Sequence, residues 1–171
     1  MTENSFHGRT MAALTATSSK KSHSGFTPLL EGFLRIPYND IEAVEKTINE
    51  SFEIKEKVGP KSDKKLIKAI EETINLVDAG KIRVANKING AWVVNQWIKK
   101  AILLSFRVNK MVMSKGPYTT WYDKVPGKTV KWKEKDWKKA GYRHVPNGVV
   151  RRGSYIAKNV VLMPSFVNLG A

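Results

Sequence analysis

From Val150 onward the chain reads in sixes: VRRGSY, IAKNVV, LMPSFV and then NLGA. The first position of each complete unit is aliphatic (Val150, Ile156, Leu162), and the fifth is compact or apolar (Ser154, Val160, Phe166). A helix repeats every 3.6 residues and a strand every two, so neither explains this spacing. A six-residue period suits a coil of short flat sides, one unit to a side, with the fixed aliphatic pointing inward. That is the grammar of a left-handed parallel β-helix. Stacked repeats need about three units or more to cover their cores. Here a single coil is laid down and the chain stops at Gly170-Ala171, inside the fourth unit. The expectation is an incomplete β-helix, in a chain that is a fragment or the product of a coding region ended early.

The residues before the coil follow different rules. Ile41, Val44, Ile48 and Phe52 mark one face of a helix, with Asn39-Asp40 placed to cap its start and Gly59-Pro60 to end it. Ser62 is a suitable cap for a second helix, whose buried face is Leu66, Ile70, Ile74 and Val77, and Gly80 stands where a C-terminal glycine belongs. Two β-prone runs then flank Asn89-Gly90, a strong signature of a tight hairpin. Residues 95–108 return to a helical pattern, with Trp97, Ala101 and Leu104 on one side. Residues 109–131 read as loop, and a short basic helix is expected at 134–139 with Trp137 as its anchor. The predicted organisation is a disordered leader over 1–38, a mainly helical domain with a hairpin over 39–147, and the start of the β-helix over 148–171. The fold class is mixed α and β.

Composition narrows the function. There is no cysteine, which removes disulfides, thiol nucleophiles and cysteine-ligated metals. His7, His23 and His144 lack ligand spacing, so no metal is expected. The longest apolar-rich segment, Trp97–Val108, is interrupted by Lys99, Lys100 and Arg107 and is too short to span a bilayer. Residues 1–25 lack the apolar core of a secretory signal; Arg9, Lys20 and Lys21 among hydroxyl residues leave only a weak transit-peptide pattern. A cytoplasmic location is expected. The formal charge of +15 attracts polyanions: nucleic acid, anionic membranes or phosphorylated cofactors. It is equally the charge of an adapted surface.

Three blocks carry a resemblance. They are LVDAGKIRVANKINGAWVVNQWIKKAILLSFRV (76–108), YDKVP (122–126) and AGYRHVPNGVVRRGSYIAKNVVLMPSFVNLGA (140–171). In order and spacing they resemble the tetrahydrodipicolinate N-succinyltransferases. The likeness covers residues 62–171 and, more loosely, 40–61. It implies a helical domain followed by a left-handed β-helix in a homotrimer, with active sites between neighbouring β-helices. It also implies transfer of succinyl from succinyl-CoA to the amine of ring-opened tetrahydrodipicolinate, in the diaminopimelate route to lysine. Succinyl-CoA would be a co-substrate; no permanently bound cofactor is implied. The family's substrate-binding arginine matches Arg143 in GYRHVP, where a guanidinium suits a dicarboxylate acceptor. The family's acceptor-site aspartate and its CoA-binding coils fall beyond Ala171, so no catalytic or CoA-binding residue is assigned. Tyr142, His144 and Asn147 depart from the family pattern of Phe, Val and Pro.

Other readings compete at each position. Arg143 is otherwise a surface salt-bridge residue. Arg151 and Arg152 are either cleft residues or solubilising charges on a wet coil, and the second is the expected role. His144 is expected to be structural, and Asp123 a loop-fixing acceptor. A chain of this family can also be an inactive structural remnant. Trp132-Lys133 and Trp137-Lys138-Lys139 offer a local case for single-stranded nucleic acid, with rings stacking on bases. Against it, Trp92, Trp97 and Trp137 fall where a hairpin or helix is expected to bury them.

Overall fold

The computed structural model describes Gly25, residues 41–116 and residues 119–171. The leader, the weak transit pattern and the Asn39-Asp40 cap lie outside the described residues. Helix α1 (Ile41–Glu53) leads through a short 3-10 turn (Lys55–Lys57) into α2 (Lys64–Asp78). The hairpin β1 (Ala85–Ile88) and β2 (Ala91–Val94) precedes α3 (Gln96–Val108). A second hairpin, β3 (Val112–Lys115) and β4 (Thr120–Asp123), comes next, and α4 (Glu134–Ala140) follows it. Four two-residue strands close the chain: β5 (Arg143–His144), β6 (Val149–Val150), β7 (Val161–Leu162) and β8 (Phe166–Val167). No helix among the described residues is long and apolar enough to cross a membrane.

The helical stripes find each other. Ile48 of α1, Leu66, Ala69, Ile70 and Ile74 of α2, and Ala101, Leu104 and Val108 of α3 form one buried cluster with Val58. Val77 of α2 joins Trp97 and Ile98 of α3 in a second. Burying side chains of this size stabilises by about 1.5–3 kcal/mol each before entropy is charged. Two hydroxyls share that interior and are satisfied within their own helices: Thr73 donates to the Ala69 carbonyl at 2.8 Å and Ser105 to that of Ile102 at 2.6 Å. The cap of α2 is Asp63, which accepts from the Lys65 amide at 3.0 Å. Ser62, one residue earlier, instead accepts from the Gly59 amide at 2.9 Å and closes the preceding turn.

The first hairpin is the expected one. Asn89 and Gly90 take φ of 49° and 85°, the left-handed pair that a tight two-residue turn requires and that these residue types tolerate. It does not bury its tryptophan, however: Trp92 is 71% exposed, because among the described residues the two strands pair only with each other and β2 is exposed along its whole length. The segment read as loop over 109–131 contains the second antiparallel hairpin, registered Val112↔Asp123 to Lys115↔Thr120. Its strands have only four residues each and apolar side chains on both faces, so they lack the one-sided alternation by which half-buried strands are recognised.

The C-terminal strands pair in parallel across nearly constant offsets. Arg143 and His144 oppose Val161 and Leu162; Val149 and Val150 oppose Phe166 and Val167. A third contact joins the Tyr155 amide to the Ala171 carbonyl at 2.9 Å, and the Gly170 amide to Gly153 at 2.8 Å. The offset falls from eighteen residues to seventeen at the corner holding Asn147, whose φ is 69°. Of the aliphatics at the first position of each six, Val150 is buried and Ile156 and Leu162 are half-buried; Ser154 is fully buried, whereas Phe166 is exposed. Along one edge, the Lys128 amide donates to the Val150 carbonyl at 2.8 Å and the Arg152 amide to that of Pro126 at 3.0 Å. This antiparallel strap occupies backbone groups that would otherwise stand open. Residues Ala43–Ala171 form one compact unit, in which Leu169 packs on the helical core.

Candidate functional site

Arg143 lies on β5, with its amide donating to the Val160 carbonyl at 2.9 Å. Its neighbours Tyr142 and His144 both contact the Trp137 ring, at 5.7 and 5.8 Å between centroids. Alternate strand residues point to opposite faces, so Arg143 projects away from that aromatic cluster. Its side chain is exposed and makes no ion pair or hydrogen bond among the described residues. The salt-bridge role is therefore unfilled.

The two arginines that follow β6 behave differently. Arg151 donates from Nη2 to Asp123 at 2.7 Å and from Nη1 to Asn168 at 2.9 Å, with its guanidinium over Phe106. Arg152 reaches Glu71 and Asn75 of α2, each at 2.7 Å. Neither is a solubilising charge on a wet coil; both fasten the coil, one to the β4 end and one to α2. Asp123 is the loop-fixing acceptor expected of it, since it also takes the Lys124 amide at 2.7 Å.

A further charged junction had no signature in the sequence. The side chain of Lys128 is only 8% exposed and lies 2.7 Å from an Asp78 carboxylate oxygen. It also donates to the Asp78 and Ser154 carbonyls at 3.0 and 2.9 Å. Asp78 accepts the Gly153 amide at 2.7 Å through its other oxygen. Three donors thus meet three acceptors, which is the condition for a buried ammonium to be tolerated. The cation also sits at the C-terminal end of α2, where the helix dipole favours positive charge.

Beside this junction is a cavity of about 360 Å³. Trp132, Tyr142 and Tyr155 are among its walls, and Lys139 and Lys158 stand with them. Trp132 and Trp137 meet edge-on at 4.9 Å, and Trp132 lies 5.9 Å from Tyr142. The tryptophans that offered a nucleic-acid surface are therefore committed to each other. Tyr142 is buried, and its hydroxyl has no hydrogen-bond partner among the described residues. Burial pushes the phenol's pKa up, and the Asp78 carboxylate adds to the shift. Among the described residues no three His, Cys, Asp or Glu side chains gather as a metal site.

A family profile described as Tetrahydrodipicolinate N-succinyltransferase N-terminal matches residues 43–108, which contain α1, α2, the first hairpin and α3. The 2,3,4,5-tetrahydropyridine-2,6-dicarboxylate N-succinyltransferase of Pelagibacter ubique (strain HTCC1062) is 54% identical over 130 residues, covering 74% of this chain and 47% of that protein. The chain is a homologue of the tetrahydrodipicolinate N-succinyltransferases. The enzyme of the same description from Rhodopseudomonas palustris (strain BisA53) is 50% identical over 134 residues, or 77% of this chain and 48% of that protein. That from Nitrosomonas europaea is 46% identical over 132 residues, with the same two coverages. The chain spans about half the length of the succinyltransferases it matches.

Proposed function

We propose that this chain belongs to an acyltransferase that moves a succinyl group from succinyl-CoA to the amine of ring-opened tetrahydrodipicolinate, in the diaminopimelate route to lysine. The carrying observation is identity near one half across three quarters of the chain with proteins of that description. In this reading the parallel pairs at offsets of seventeen and eighteen are the first turn of a left-handed β-helix. The mainly helical part (39–147) passes into it through β5. The working form is a homotrimer in the cytoplasm, with acceptor and donor held between subunits.

Arg143 would hold a carboxylate of the acceptor. What supports this is its exposure, its lack of a competing carboxylate among the described residues, and a backbone position on a paired strand. A fork of two N–H groups binds a carboxylate bidentately. The attacking amine needs no metal to open a thioester; a carboxylate base and oxyanion donors help that step. Neither is assigned to a residue of this chain.

The test is an assay of purified 1–171 with succinyl-CoA and tetrahydrodipicolinate, following CoA release, with sedimentation recording its assembly. Turnover by a trimer supports the proposal. The second reading is a structural chain of the same family without turnover. A monomer that releases no CoA would select it.

A further inference from the structure

We propose that the cavity behind Tyr142 binds a small planar aromatic anion, at a site separate from Arg143. The volume, about 360 Å³, falls within the range in which small-molecule sites are found. Three of the lining residues are aromatic: Trp132, Tyr142 and Tyr155. Two of these are already held, Trp132 against Trp137 and Tyr155 over Gly80 and beneath Arg83. Rings fixed in advance lose little freedom when a flat ligand slides against them.

The charge of the ligand follows from which lining groups are already engaged. Asp78 is occupied by Lys128 and the Gly153 amide. Asp136 accepts from the Lys133 amide at 2.8 Å. Lys128 has spent its three protons on Asp78 and Ser154. What remains is Lys139 and Lys158, both exposed and without an ion-pair partner among the described residues. The Lys133 amide leaves Asp136 charged, but Lys139 and Lys158 together outweigh it, and this surplus of positive charge beside an aromatic wall selects a carboxylate, sulfonate or phosphate carried on a ring.

Arg143 takes no part. It leaves β5 on the face opposite Tyr142, so a ligand in the cavity does not compete with one held by Arg143. The site does not depend on the succinyl-transfer reading, because its walls are described without reference to any reaction.

The experiment uses the 171-residue chain and phenyl phosphate as probe, followed by two-dimensional NMR of the backbone and indole N–H groups. Saturable shifts are expected at Trp132, Lys139 and Lys158, with inorganic phosphate and phenol each binding at least about tenfold more weakly. The double substitution Lys139→Gln/Lys158→Gln, at exposed positions that leave the spectrum dispersed, should weaken phenyl phosphate by about tenfold. Ala140→Phe, which fills the cavity from the end of α4, should abolish binding. Equal affinity for inorganic phosphate would show a basic surface and overturn the proposal. So would binding indifferent to both substitutions, or no saturation at all.

Discussion

Lys128 is held by a carboxylate and two carbonyls from distant parts of the chain, so removing its charge leaves the half-buried Asp78 with only the Gly153 amide and solvent. Truncating one partner of a fully buried pair costs about 3–5 kcal/mol; water reaches the Asp78 carboxylate, so Lys128→Met is expected to cost less, about 1–3 kcal/mol, by urea denaturation. Tyr142 behaves oppositely. Its hydroxyl has no partner, so Tyr142→Phe should leave stability unchanged or raise it by about 1 kcal/mol. Its pKa is raised on folding, so the neutral phenol's contribution is fully present below the unfolded pKa and fades as pH climbs through the folded value. Alkaline unfolding above about pH 10 should therefore be steeper for the parent than for Tyr142→Phe. On the proposed succinyl transfer, Arg143→Ala should raise KM for tetrahydrodipicolinate by about 10- to 100-fold, read in the CoA-release assay. Arg143 is singled out only by the resemblance, since nothing in its spacing distinguishes it from Arg151 or Arg152. Those two were misjudged because their partners, Asp123 and Glu71, lie 28 and 81 residues away, and such separations leave no trace in a local pattern.

At the scale of elements, the helices were readable because each buries one stripe, and a stripe has a period. The Asn89-Gly90 hairpin was readable because its turn demands positive φ. The β3–β4 hairpin offered neither device and was missed. Corners of the coil have their own requirements. Gly153 has a φ of +87°, and a Cβ there would sit 2.9 Å from Leu169 and 3.2 Å from Ile74. Gly153→Ala thus meets both a disfavoured backbone and an occupied space, for an expected loss of about 2 kcal/mol or more, seen as a lowered Tm. Asn147 takes φ of 69°, which proline, fixed near −65°, cannot adopt. Proline is therefore incompatible with the turn seen here, and Asn147→Pro should destabilise by about 1–3 kcal/mol.

Across the whole unit, order is expected to be graded. Amides of α2 and α3 face the shared core and should exchange with solvent slowly. Those of β3 and β4, where Met113 and Tyr122 are both more than half exposed, should exchange fastest among the paired strands. Hydrogen-exchange mass spectrometry would show a reversal at once. The junction of Asp78, Lys128 and Ser154 adds a dimension of time. Its bonds close chain separations of 50 and 26 residues, so it can be made only after α2 has found its place and the coil has returned to it. Interactions completed late govern how fast a protein comes apart more than how fast it assembles. In stopped-flow measurements Lys128→Met should accelerate unfolding while leaving the refolding rate nearly untouched, which makes this lysine a clasp on the lifetime of the native state.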